Sequence, residues 1–142
     1  MTKKVRLLPY ADFLGVRIDG IADVDGGAPL LAMPFSEGLI GGPGRLHGGA
    51  IAGLLEIAAI AAIDATLEDE GQNARAIFKP ITATVDFMRP GLLVDSYARA
   101  EVIRVGNRIA NVAVEAWQDD PERPIAAARI NIAISAPAAN EG

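Results

Sequence analysis

The chain has 142 residues, 51% of them hydrophobic, with a net charge of −5, a single histidine and no cysteine. The acidic balance argues against nucleic acid or an anionic membrane as partner, while leaving room for an anionic ligand held by a few arginines. Without cysteine there are no disulfides, thiol nucleophiles or thiolate metal sites, and one histidine gives zinc no ligand set, so no metal is expected and a cytoplasmic location is. The length fits one domain, residues 1–142. Its apolar content exceeds what a monomer of this size readily hides, which predicts a subunit interface.

In chain order, Leu7 to Leu14 predicts a short helix, with Pro9 in its first turn and Gly15 to close it. Val16 to Asp23 alternates as a strand, Asp25, Gly26 and Gly27 make a turn, and "APLLAMPF" begins a second strand that Pro34 weakens at its end. Gly38 to Gly44 reads as a glycine-rich loop. A long helix follows from about Gly49 to Leu67, with the polar exit "LEDEGQN" and a stop at Gly71. It is apolar nearly all round, the mark of a helix enclosed by other structure, and its many alanines allow a sheet to approach closely. Its longest apolar run, Ala50 to Ile63, is short for a bilayer and contains Glu56, and "MTKKVRLLPYADF" holds no apolar stretch of signal-peptide length.

After residue 75 the apolar period changes to two. Ile81 to Met88 is a strand, and Ser96 to Asp120 divides at Gly106-Asn107 into the two strands of a hairpin. "DDPERP" is a turn, "IAAARINIAISA" the last strand, and "PAANEG" a fraying tail. The order predicts an α+β fold, an antiparallel sheet wrapped around one long central helix.

The candidate chemistry lies in "GRLHGGAIAGLLEIAAIAAI", Gly44 to Ile63. Glu56 has Ala52, Gly53, Ala59 and Ile60 three and four positions away, so its own face is apolar. A carboxylate so placed needs polar partners, and one kept on an apolar face is a candidate general base. His47 stands before the helix as a cap or a structural side chain. Gly48 and Gly49 leave the first-turn amides unshielded, and such N–H groups can hold an oxyanion, although a tight turn alone would also account for the glycines. Gly48 and Glu56 are separated by about 12 Å along a helix rising 1.5 Å per residue. If both act on one carbonyl, they come from different subunits across a two-fold axis.

With "ITATVDFMRP" and "VIRVGNRIANVAVEAW", the "LHGGAIAGLLEIA" motif resembles the hotdog-fold acyl-CoA thioesterases of the PaaI type, the phenylacetate-pathway branch, over about Leu14 to Ile134. The resemblance implies a hotdog homodimer, or a dimer-of-dimers homotetramer, that hydrolyses an acyl- or aryl-CoA thioester without metal or redox cofactor. It assigns Gly48 N–H to polarise the thioester carbonyl and Glu56 of the opposing subunit to act as base or nucleophile. Most relatives have aspartate there, with glutamate in a hydroxybenzoyl-CoA thioesterase branch. His47 then positions the turn. The polar asparagine that relatives often carry six residues before the histidine is Gly41 here, a departure that bears on catalysis rather than fold.

A hydroxyl near the carboxylate would come from Thr82 or Thr84, which alternation puts on one face with Asp86; ordinary strand threonines are the competing explanation. Arg45, Arg89, Arg104 and Arg108 are candidates for coenzyme A phosphates, against plain solvent exposure, and Gly49 and Asp86 for lining the substrate site. Phe87, Met88 and Trp117 either contact the acyl group or pack in the core. "GGPG" before Arg45 lacks the lysine and hydroxyl of a phosphate loop, and Ser36, Ser96 and Ser135 lie in no nucleophile elbow. Two alternatives remain: a non-catalytic acyl-CoA-binding or sensor protein, kept open by Gly41, and a hotdog dehydratase or hydratase, whose usual spacing differs from the one here.

Overall fold

The computed structural model describes residues 7–21, 28–69 and 76–135. Helix α1 (Pro9–Leu14) starts on Pro9 and ends at Gly15, whose φ of 78° is the left-handed conformation that terminates helices. Strands β1 (Arg17–Ile21) and β2 (Pro29–Met33) follow, then a short 3-10 turn at Glu37–Leu39 and the long helix α2 (Gly48–Asp69). Strands β3 (Ile77–Phe87), β4 (Ser96–Val105), β5 (Ile109–Trp117) and β6 (Ala126–Ser135) complete the described elements. The Asp25–Gly27 turn, the stop at Gly71 and the C-terminal tail lie outside the described residues.

All six strands form one antiparallel sheet in the order β1-β2-β4-β5-β6-β3. The β4–β5 hairpin turns through Gly106, Asn107 and Arg108, where the sequence predicts it. Strand β3 starts four residues before the predicted Ile81, running through Pro80. Pro80 is tolerated because β3 is an edge strand and the register shifts between Pro80 and Thr82.

One face of the sheet packs on α2. Its inward rows are Ala98 and Ala100 on β4, Ala110, Val112, Val114 and Ala116 on β5, and Ala126, Ala128, Ile130 and Ile132 on β6, all buried. Opposite them α2 buries Leu54, Leu55 and every residue from Ile57 to Ala65. Small side chains on both surfaces let helix and sheet approach closely, and Leu54, Leu55, Ile57 and Ile63 fill what remains. The segment Gly48–Leu67, with mean hydropathy 1.9, is long and apolar enough to cross a membrane, but most of it is buried inside the fold. Reading Ala50 to Ile63 as short for a bilayer therefore understates the helix; enclosure by the sheet, rather than length, marks it as a core helix.

Close packing makes added volume costly. Ala98, fully buried between β2 and β5 beneath α2, should destabilise the fold by about 1–3 kcal/mol when replaced by leucine. The urea midpoint should fall accordingly, with an unchanged slope.

Candidate active site at the start of the long helix

The N-terminus of α2 is fixed by its own capping bonds. His47 N–H donates to Leu39 O at 2.8 Å, and His47 O accepts from Ala50 N–H at 3.0 Å and Ile51 N–H at 3.3 Å. Its ring nitrogen Nδ1 accepts the Gly49 N–H at 2.8 Å, so the imidazole is a side-chain cap. Among the described residues the Gly48 N–H has no acceptor. It is the one amide of the first turn left to meet a ligand, at the positive end of a 22-residue helix.

Each neighbouring glycine has its own steric reason. A Cβ on Gly49 would lie 2.9 Å from His47 Nδ1 and Cε1, where the ring must sit to cap the helix. A Cβ on Gly41 would lie 2.7 Å from His47 Cα and 3.1 Å from its backbone nitrogen. The asparagine of the relatives therefore has no room here unless the backbone moves. Above Gly48 a Cβ would make ordinary contact at 3.5 Å with the Phe87 ring, which lies over the helix start.

Glu56 lies two turns further along. It is partly buried, and among the described residues its carboxylate has no hydrogen-bond or ion-pair partner. It continues the only stripe of α2 left incompletely covered before Thr66, through Gly49, Ala52 and Gly53. Helix α1 packs on this stripe at Gly53, where a Cβ would meet Leu14 Cδ1 at 2.8 Å and Tyr10 Cε2 at 3.1 Å. Gly48 and Glu56 are thus both open, and about 12 Å of helix separates them.

The other predicted residues divide by place. Arg45 and Arg89 are exposed on two loops that meet at the helix start, joined by Leu46 N–H to Gly91 O at 2.9 Å. Arg89 Nε already donates to Pro124 O at 3.2 Å. Arg108 sits in the β4–β5 hairpin, about 26 Å along β5 from Ala116 at 3.3 Å per residue, so within one protomer it is remote from Gly48. Phe87 and Met88 are 54% and 48% exposed, so neither is a core residue.

Thr82, Thr84 and Asp86 do share a face, but it is the one turned away from α2. Their register partners Asn131, Arg129 and Ala127 alternate with the buried Ala128 and Ile130. Thr82 Oγ1 accepts from Asn131 Nδ2 at 2.8 Å, and Asn131 Oδ1 from Asn111 Nδ2 at 2.6 Å, a polar ladder across three strands. Thr84, Asp86 and Trp117 line a cavity of 710 Å³ on that outer face with Arg99, Glu101 and Arg129. The structure therefore separates both threonines and Asp86 from Glu56 of the same chain.

A family model described as "Acyl-CoA thioesterase N-terminal domain" matches residues 40–133, a stretch that includes His47, Gly48 and Glu56. The chain belongs to this family. Its fold is that of solved thioesterases with the hotdog architecture. A thioesterase from Haemophilus influenzae is 17% identical with a TM-score of 0.79, covering 94% of this chain and 87% of its own. A phenylacetic acid degradation-related protein from Ralstonia eutropha is 24% identical with a TM-score of 0.74, covering 90% and 92%. A Bacillus halodurans protein solved with CoA is 16% identical with a TM-score of 0.72, covering 92% and 78%. A search of curated proteins finds no significant match.

The sequence reading of this thioesterase-family chain missed Gln118, which follows Val112, Val114 and Ala116 in the inward-facing alternation of β5. A polar side chain at the end of a buried row was the available signal. Its amide brackets Leu92 in the β3–β4 loop, accepting from Leu92 N–H and donating to Leu92 O, both at 2.9 Å.

The capping geometry gives a stability test. His47→Ala should cost about 1 kcal/mol by losing the bond to the Gly49 amide. His47→Asn, whose side chain can accept the same kind of bond, should recover most of that in denaturant titrations.

Proposed function

We propose that the protein hydrolyses an acyl- or aryl-CoA thioester at sites shared between two protomers, with Gly48 from one chain and Glu56 from the other. The observation that carries this reading is a pair of groups on one helix that have no partner among the described residues, the Gly48 amide and the Glu56 carboxylate, too far apart to meet one carbonyl. Membership in an acyl-CoA thioesterase family and a similar fold solved with CoA support the substrate class.

Strand β3 is the long exposed edge of the sheet, with Ile77, Ile81 and Phe87 each at least half exposed. An uncovered apolar edge of 11 residues is a template for pairing with another strand, here β3 of a second copy. The end of β3 passes the helix start, since Phe87 lies against Gly48. A partner docked on this edge brings its own groups to that place.

In the proposed reaction the Gly48 N–H donates to the thioester carbonyl oxygen and stabilises the charge that develops as the carbonyl carbon is attacked. Glu56 takes a proton from water as the water oxygen bonds to that carbon. The tetrahedral adduct then expels the CoA sulfur, which leaves as thiol after taking a proton, and the free acid remains. In the second form of the reaction the Glu56 carboxylate itself attacks the carbonyl carbon and expels the CoA thiolate, and water then cleaves the resulting anhydride to the free acid and regenerates the carboxylate. Arg45 and Arg89, on the loops beside the helix start, are placed to meet coenzyme A phosphates.

Two variants test both the chemistry and the sharing. Glu56→Gln should lower turnover by orders of magnitude while the assembly stays folded. Gly48→Pro removes the one N–H at a helix position that accepts proline, and should lower kcat by about 10²–10³-fold. Refolded together, the two inactive variants should regain about a quarter of the wild-type rate, because random pairing leaves one intact site in each mixed dimer. No recovery would place both groups in sites of a single chain and sink the shared arrangement.

A further inference from the structure

We propose that Gln118 is a positioning residue for the Gly48 amide, acting through the β3–β4 loop. This inference rests on the hydrolase reading above. The loop after β5 holds the β3–β4 loop at both of its shoulders. At one shoulder, Ile125 O accepts from Met88 N–H at 2.8 Å and from Arg89 N–H at 3.1 Å, directly after Phe87, whose ring covers Gly48. At the other, Gln118 Oε1 accepts from Leu92 N–H and Nε2 donates to Leu92 O, each at 2.9 Å. Nε2 also lies 3.1 Å from the hydroxyl of Ser96, which is fully buried.

Between these shoulders, Gly91 O accepts the Leu46 N–H at 2.9 Å, one residue before the capping histidine. Gly91 also packs closely enough that a Cβ would lie 3.0 Å from Ile51 Cδ1 and 3.3 Å from Leu46 Cβ. The path is therefore continuous: Gln118 amide, Leu92, Gly91 carbonyl, Leu46, His47, Gly48 N–H. No link in it is a long mobile side chain except Gln118, and that side chain is held at both ends of its amide.

The anchoring loop is itself stiff. Asp120 Oδ1 accepts from Glu122 N–H at 2.9 Å, Asp120 O from Arg123 N–H at 2.9 Å, and Ala116 O from Ile125 N–H at 2.8 Å. Gln118 thus transmits the position of a rigid turn to a single catalytic amide. A donor aimed at a developing oxyanion loses most of its effect when displaced by a fraction of an ångström to an ångström, so a residue that touches no substrate can still govern kcat.

The test compares Gln118→Met, which keeps volume but removes the amide, with Val112→Ala, a destabilising change in the middle of the sheet. In the full-length protein, Gln118→Met should lower kcat for acyl-CoA hydrolysis roughly ten- to a hundredfold with KM within about twofold. Its Leu46, His47 and Gly48 amide resonances in 15N–1H spectra should move. Val112→Ala should keep kcat. Unmoved resonances, an unchanged kcat in Gln118→Met, or an equal loss of kcat in Val112→Ala would each overturn the proposal. If wild-type protein hydrolyses no acyl-CoA, the hydrolase reading fails and takes the catalytic role of Gln118 with it; the amide shifts still report whether the path from Gln118 to Gly48 exists.

Discussion

A helix with almost no polar side must be enclosed on nearly every side, and the arrangement of this molecule follows from that requirement. The enclosure is made by an antiparallel sheet whose inward rows are mostly alanine, valine and isoleucine, facing a helix rich in alanine, isoleucine and leucine. Close approach of small side chains, with Leu54, Leu55, Ile57 and Ile63 filling the gaps, excludes water from a long interface and tightly constrains the helix axis. Before Thr66, only one stripe between Gly48 and Glu56 escapes full coverage. There the chain leaves Gly49, Ala52, Gly53 and Glu56 partly open, and the carboxylate stands at the boundary between the packed and unpacked parts of α2.

The start of the helix shows how adjacent glycines can serve different ends. Gly49 gives its amide to the His47 ring and has no side chain because that ring occupies the space. Gly48 keeps its amide uncommitted and lies beneath Phe87. The first arrangement contributes about 1 kcal/mol to stability, as helix caps do. The second suits transition-state stabilisation, where one preorganised donor is worth about 3–4 kcal/mol. The residue that draws attention in the sequence, His47, holds the geometry in which its neighbour is available.

Much of this was legible in the residues themselves. The change of apolar period after the long helix, the Gly106-Asn107 hairpin and the all-round apolarity of residues 49–67 carry the order of elements and the enclosed helix. The rise per residue alone separates Gly48 from Glu56. Alternation shows that Thr82, Thr84 and Asp86 share a face, yet a period of two is silent on which face is buried; that depends on β6, whose Ala128 and Ile130 point inward. Pro80 looks like a strand breaker until its place on a bulged edge is known. Gly41 meets His47 across a turn of the loop between them and Gln118 meets Leu92 from a different loop, and no periodic pattern encodes such meetings.

The bonding at the helix start also determines what kind of anion the protein can favour there. Sites that cradle phosphate at a helix N-terminus rely on several backbone donors converging on one group. In this chain the neighbouring amides are already committed: that of His47 to Leu39 O, that of Gly49 to His47 Nδ1, and those of Ala50 and Ile51 to His47 O. A tetrahedral oxyanion bearing several charged oxygens would find one free backbone donor there and would need side chains such as Arg45 and Arg89, on the adjoining loops, for the rest of its charge. The capping bonds therefore leave the helix start with one free backbone donor, which matches a single oxygen atom better than a phosphate cradle.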